Sequence, residues 1–473
     1  VNNGKENVEK TKPVTTGAKV FYGLGAFGYG SVGHTLGSFL MFFGNAVLGI
    51  PGTLMGLSIG IGTVWDAVTD PFVGHMSDKT RSKLFGKRHG YILLGSITVA
   101  LVNFLIWSIS PNYGVWSKFI LLTVLLLVIE TFNTVFSTPY GALGLDLSKT
   151  YDDRTVVQSY KTIFQFLSLL VPSLLMALFL SPESYVTMSA SARGYQQIAF
   201  FTSALCIICG LIVFFGTYKY KEPVNYLQIN KKENIKSIIA DFFAILKQKN
   251  TTLLIAGYAV SLSAGAFITS LGLHVFTYTF GFSTLEIPVI MLSLIGGIII
   301  GQPLWFAVSR KFDKTAALKA ALGTVIFGII IFSVVLSLRN SMSAQVLPLM
   351  IFTIFICGLG TGCLYSLPIS MFADLIDLNN KKTGSDKTAK AAGFLTFCTK
   401  ISNAFIMFIV GFVLDLIGFN GNNAVQSVHT QNWLGWLLVV GVSIASVASI
   451  WIYSKYSYSK KDFSLEKEIN KAA

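Results

Sequence analysis

The sequence predicts an all-α membrane protein: twelve transmembrane helices arranged as two six-helix halves. Three observations carry that expectation. The first is composition, with 53% of 473 residues hydrophobic and 12% charged, where a soluble domain carries about 25% charged residues. Mean hydropathy is +0.64. The second is length, which at about 20 apolar residues per span leaves room for roughly a dozen helices with short connections. The third is the placement of a net charge of +14, which gathers in alternate connections.

Apolar runs place the spans near 18–45, 51–76, 90–109, 116–144, 157–181 and 197–218, then near 251–282, 288–309, 316–338, 346–375, 390–418 and 431–455. The domains that follow are a tail over 1–17, a half over 18–218, a central segment over 219–250, a second half over 251–455 and a tail over 456–473. The first run is long, rich in glycine and far along the chain, and is expected to be a span rather than a cleaved signal peptide. Its weak apolarity leaves counts of eleven or thirteen open.

Basic residues test the count. With the N-terminus in the cytoplasm, inside connections collect Lys79, Arg81, Lys83, Lys87 and Arg88, then Lys149, Arg154 and Lys161. The central segment adds Lys219, Lys221, Lys231, Lys232, Lys236, Lys247 and Lys249; later connections add Arg310, Lys311, Lys314, Lys381, Lys382, Lys387 and Lys390. Outside connections hold Lys118, Arg193 and Arg339. This asymmetry follows the positive-inside rule, predicts two cytoplasmic termini in a plasma-membrane protein, and accounts for the basic balance without nucleic acid. Gly74, Asp78, Lys79, Arg81 and Lys83 closing helix 2 echo Arg310, Lys311, Asp313 and Lys314 closing helix 8. Two repeated halves around a central site is the arrangement of the major facilitator fold.

No nucleophile motif, phosphate loop or metal-ligand array is visible, so neither enzyme chemistry nor a cofactor is expected. Cys206, Cys209, Cys357, Cys363 and Cys398 all fall inside predicted spans, where Cys206-x-x-Cys209 reads as packing. His34 and His274 could face a cavity or simply pack.

Charges inside spans are costly, roughly 2.5–3.5 kcal/mol each at the bilayer centre even on insertion scales, and so mark a cavity or a partner. Asp66 and Asp70 stand at i and i+4 in helix 2, stacked on one face. Two acids that close call for a cation or proton between them; for Asp70, neutralisation by the basic loop from Lys79 is the alternative. Helix 4 offers Glu130, Asn133, Thr134 and Ser137 on one face, with Thr134 and Ser137 at the depths of Asp66 and Asp70. Lys400, between Thr396 and Asn403 in helix 11, lies at a matching depth in the other half, where an ion pair with Asp66 or Asp70 would close the cavity. Asp374 and Asp377, with Arg154 and Lys161, sit near the inner face, where gate salt bridges are expected; Asp78 joins them.

Trp65-Asp66-x-x-x-Asp70-Pro71 also carries a resemblance. With Tyr22-Gly23-Leu24-Gly25-Ala26-Phe27-Gly28, Asp78-Lys79-Thr80-Arg81-Ser82-Lys83, Thr138-Pro139-Tyr140-Gly141-Ala142-Leu143, Phe276-Thr277-Tyr278-Thr279-Phe280-Gly281 and Ala373-Asp374-Leu375-Ile376-Asp377, the chain resembles the glycoside–pentoside–hexuronide:cation symporters, the melibiose-permease group of the major facilitator superfamily. The resemblance implies a cation site from Asp66, Thr69, Asp70 and Thr134, with Lys400 coupling, and a sugar site between the halves. It also implies carboxylates in helices 1 and 4, where this chain has Gly30 and Ser137. A basic residue in helix 5 corresponds to Lys161, an aromatic in helix 10 to Tyr365, and a helix 11 position to Thr396. Tyr29, Tyr140 and Tyr365 are the expected ring platforms, with Glu130 and Asn133 as further substrate contacts.

The lost carboxylates suit a different glycoside or a uronide, and tilt the coupling ion from Na⁺ towards H⁺ with Glu130 as a substitute acid. The function expected is symport of a sugar with H⁺ or Na⁺ by a monomer in the lipid bilayer. A lipid or lysolipid transporter on the same fold, and a membrane sensor without transport, are the rivals.

Overall fold

The computed structural model describes residues 14–80, 82, 84–147, 151–180, 188–220, 247–341, 345–383, 388–421, 423 and 425–458. These form twelve helical rods: α1 (Thr16–Phe42, extended by a π-turn at Phe43–Val47), α2 (Gly52–Lys79), α3 (His89–Trp107), α4 (Val115–Asp146), α5 (Tyr151–Ser168, resuming at Leu170–Phe179) and α6 (Met188–Thr217). The second set is α7 (Lys249–His274, extended by a π-turn at Val275–Thr279), α8 (Glu286–Lys311), α9 (Lys314–Leu338), α10 (Val346–Thr361, then a 3-10 stretch Gly362–Tyr365, then Leu367–Thr383), α11 (Thr388–Leu416) and α12 (Val428–Ser454). Ten of the rods are long and apolar enough to cross a membrane; glycine-rich α1 and the acid-bearing α2 fall short. Parts of the expected tails and most of the central segment lie outside the described residues.

The structure departs from the sequence-derived spans in several places. Helix 5 starts at Tyr151 rather than near 157, and helix 6 at Met188 rather than near 197, because polar first turns continue a helix that hydropathy alone does not register. α5 breaks at Leu169 because Pro172 cannot donate to the Ser168 carbonyl and its ring crowds it. α10 tightens to 3-10 before Pro368 for the same reason.

The internal repeat is legible in backbone geometry. α1 and α7 each end in a π-turn followed by a glycine at positive φ, Gly49 at 66° and Gly281 at 67°. The hydrogen bonds match as well: Leu48 N to Phe43 O at 2.9 Å and Ile50 N to Gly44 O at 2.8 Å, against Phe280 N to Val275 O at 3.1 Å and Phe282 N to Phe276 O at 3.0 Å. A left-handed backbone at both corners favours glycine.

α1 packs on α5 and α6, and α7 on α11 and α12. The halves meet through α2 against α11, α1 against α7, and α8 against the Leu170–Phe179 segment of α5. At the end of the bundle away from Lys79, Asp374 and Tyr456, called the far end below, this contact is tight. Phe42, His274, Tyr278 and Phe419 form a ring cluster with centroids 5.0–6.0 Å apart, and Gly421 lies against the Asn45 carbonyl. Towards the opposite, basic end the inner surfaces carry solvent-reachable polar groups, including half-exposed Tyr365, exposed Thr396 and partly buried Thr399.

Candidate functional site

Asp66 and Asp70, one turn apart on α2, face α4 on one side and α11 on the other. Lys400 Nζ of α11 lies 2.6 Å from Asp66 Oδ2 and 2.6 Å from Asp70 Oδ2. From α4, Thr134 Oγ1 lies 2.8 Å from Asp66 Oδ1 and 3.1 Å from Asp70 Oδ1, and 3.2 Å from the Glu130 carbonyl oxygen. Counting from Lys79 at 1.5 Å per residue puts Asp66 about 20 Å along α2, well inside a hydrocarbon core of about 30 Å. Two carboxylates share one ammonium. The side chains of this knot are not sealed: exposure is 18% for Asp66, 31% for Asp70 and 21% for Lys400.

Small residues let the two helices come this close. Gly56 and Gly60 of α2 lie against the backbone carbonyls of Met407 and Ala404, and Gly411 of α11 meets the Gly52 carbonyl. A Cβ at Gly411 would overlap backbone. This is the close packing that small residues permit between membrane helices.

Around the knot, Asn133 donates to Glu130 Oε2 at 3.2 Å, and the Tyr29 hydroxyl of α1 faces Ser137 within electrostatic reach of Asp66 and Glu130. Trp65 Nε1 donates to Thr131 Oγ1 at 2.8 Å, tying α2 to α4. On the neighbouring wall, α5 presents Lys161, Gln165 and Ser168 at i, i+4 and i+7. Gln165 Nε2 lies 3.1 Å from His34 Nε2 of α1.

The structure brings Asp66, Asp70, Thr134 and Lys400 into one cluster and puts Glu130, Asn133, Ser137 and Tyr29 beside it. Other expected positions need correction. The Thr69 hydroxyl donates to the Asp66 backbone carbonyl at 3.2 Å rather than to either carboxylate. Tyr140 is a packing residue rather than a sugar platform: it is 2% exposed, stacks between Tyr22 and Phe136, and donates to the Tyr22 carbonyl at 2.5 Å. Asp374 pairs with Lys314 at 2.5 Å inside the second half, so its salt bridge does not join the halves. Gly30 is not an empty position, since Gln165 and Ser168 fill the space a side chain would take. The Thr396 hydroxyl returns to the Ala392 carbonyl at 3.1 Å. The side chains of Asp78, Arg154 and Asp377 lie outside the described residues. Cys206 and Cys209 are buried packing groups, as expected.

Two residues escaped the sequence reading. Gln165 was marked by its place one turn beyond Lys161. Asp415 was marked as an acid inside predicted span 390–418: its carboxylate accepts from Gly52 N at 2.6 Å and Thr53 N at 2.7 Å, capping the α2 N-terminus from the other half.

Chemically, three oxygen-bearing side chains converge on one ammonium, at a joint between halves and next to a polar, aromatic wall. Oxygen ligands of this kind suit a small cation, and among the described residues the cluster shows no nucleophile–base pair.

The family model described as MFS/sugar transport protein matches residues 21–460. Relatives include the uncharacterized symporter YjmB of Bacillus subtilis, 26% identical over 94% of this chain and 93% of that protein. The sodium-dependent lysophosphatidylcholine symporter 1-A of Danio rerio is 24% identical over 93% of this chain and 85% of its own. The isoprimeverose transporter of Lactiplantibacillus pentosus is 23% identical over 87% and 83%. Among solved structures, a bacterial homologue of the human lysosomal transporter Spinster, inward-facing and unoccupied, superposes with a TM-score of 0.65 at 12% identity, covering 93% of this chain and 96% of that one; it speaks for the fold. The chain is a multi-pass membrane transporter, not an enzyme, and belongs to the MFS/sugar transport family of major facilitator symporters.

Proposed function

We propose that the protein imports a sugar (a glycoside, pentoside or hexuronide) by symport with a cation, Na⁺ or H⁺, through alternating access. The observation that carries this reading is the bridging of Asp66, Asp70 and Thr134 by Lys400 across the two halves. A cation entering between the carboxylates and Thr134 takes over the neutralisation that Lys400 provides here. Lys400 is then released, and the joint between α2 and α11 changes its electrostatics as the cargo binds. The driving force is adequate: a membrane potential supplies about 2.3 kcal/mol per charge per 100 mV, roughly fifty-fold accumulation per charge.

The basic end is assigned to the cytoplasm of a plasma-membrane protein on the distribution of Lys and Arg, so that the conformer faces inward. The chain is taken to act as a monomer. The experiment is a thermal-stabilisation panel of glycosides, pentosides and hexuronides at two Na⁺ concentrations and two pH values. Sugar-dependent stabilisation that rises with Na⁺ or with acid is expected; a flat response to every sugar counts against the reading.

A second reading, transport of a lysophospholipid, is favoured by one feature. α5 packs on α8 chiefly through Leu170–Phe179, and a cargo arriving from the lipid would enter beside its other half, near the basic end. A relative carries that cargo in its name. The polar and aromatic wall of the cavity speaks for the sugar.

A further inference from the structure

We infer that His274 is a proton-binding site in the far-end gate, separate from the Asp66–Asp70–Lys400 cluster, and that a proton taken up there from the far side holds that end open; this rests on the alternating access of the reading above.

His274 stands at a matched position of the repeat. The residue just before each π-turn is Phe42 on α1 and His274 on α7. The two meet across the joint between the halves, with ring centroids 5.0 Å apart. Phe419 encloses the imidazole from another side at 5.2 Å, edge to face. His274 is fully buried and Phe42 is 2% exposed. A phenylalanine in both halves would close this joint with no polar atom inside it; the second half has an imidazole instead.

Its two nitrogens differ. Nδ1 lies 3.1 Å from the Ser270 carbonyl oxygen, and a carbonyl only accepts, so Nδ1 carries the hydrogen. Nε2 of the neutral ring is then a lone pair, buried, with no hydrogen-bond partner among the described residues. Protonating Nε2 in place puts a charge among rings. Burial disfavours the charged form, and the ring electrons return only part of the hydration it loses. Parting Phe42 from His274 lets water reach Nε2, so the proton binds the open far end more tightly than the closed one. By linkage, acid on that side populates the open form. The proton enters and leaves on the same side, which makes it a modulator rather than the coupling ion.

The groups packed on the ring are Phe42 from α1, Phe419 from the α11–α12 connection, and Ser270 from α7. Tyr278 of α7 joins the cluster through Phe42 and Phe419, and phenols titrate well above imidazoles. Charged side chains described at this end are engaged elsewhere. Lys118 donates to the Leu48 and Pro111 carbonyls, Glu286 accepts from Ser283 N, Arg339 donates to Asn432, and Asp415 caps α2. Arg193 and His429 are exposed.

The test places nitroxide labels at Tyr113→Cys and Val425→Cys, exposed far-end positions of the first and second half, in the full chain carrying Cys398→Ser; the other four cysteines are buried. Pulsed electron paramagnetic resonance reads the distance between them, without sugar, from about pH 8 to about pH 5, the range in which an imidazole titrates. The ratio of the longer, open distance to the shorter one is expected to rise by about fivefold or more, the lower end of what desolvating an unpaired polar group costs. His274→Phe and, as a second variant, His274→Gln should flatten the response, and His429→Asn should leave it unchanged. A response that survives in both His274 variants belongs to other groups, Asp66 and Asp70 among them, and overturns the site. A wild-type distance indifferent to pH overturns it too. Adding a sugar that stabilises the protein in the thermal panel separates the two readings: labels that move with sugar but not with pH overturn the proton site alone, and labels that move with neither overturn alternating access as well.

Discussion

At the residue scale, Lys400 serves two carboxylates at once, and its loss has a definite consequence. Breaking a fully buried pair costs about 3–5 kcal/mol; with these side chains a fifth to a third exposed, about 1–3 kcal/mol is the expected loss. Lys400→Gln should lower the melting temperature in Na⁺-free buffer at neutral pH, and added Na⁺ or acid should restore part of it by neutralising Asp66 and Asp70 in its place. A loss indifferent to both Na⁺ and pH would argue that the acids do not take a cation. These residues were legible because charge is scarce in the sequence: a carboxylate or ammonium inside a span demands a reason. Tyr140 was not legible. Its sequence position fits a ring platform, and only the placement of Tyr22 and Phe136 around it shows a stacked core residue.

At the scale of elements, the α2–α11 joint holds the far end shut. Glycine-lined contact brings the backbones together, and Asp415 caps the first N–H groups of α2 across the joint. A cap is worth about 1 kcal/mol, roughly a fivefold change in a conformational ratio, and it exists only while those two helix ends stay together. Asp415→Ala should therefore raise the rate at which a membrane-impermeant maleimide labels Ala46→Cys, at the contact with Gly421, by about fivefold. An unchanged rate would mean that the cap does not favour the closed far end. Hydropathy located the spans to within a few residues in most cases. It could not place the breaks in α5 and α10, which depend on Pro172 and Pro368 interrupting otherwise apolar runs, nor the polar first turns of α5 and α6. The cap was hidden because it joins residues 363 positions apart.

At the scale of the molecule, two halves of like design enclose one site. Matched π-turns closing α1 and α7 give the repeat a backbone signature that loop charges alone only hinted at. The halves differ in the charge they bring to the site: acids come from α2 of the first half and the ammonium from α11 of the second. Coupling in this account is therefore a contest between Lys400 and a cation for Asp66 and Asp70. It is tested most directly by uptake of a labelled sugar, chosen by binding, into proteoliposomes under an imposed Na⁺ or H⁺ gradient, with wild type and Asp66→Asn side by side. The account predicts gradient-stimulated accumulation by the wild type and none by Asp66→Asn, which should still bind the sugar. Equal gradient-driven uptake by both proteins would contradict it.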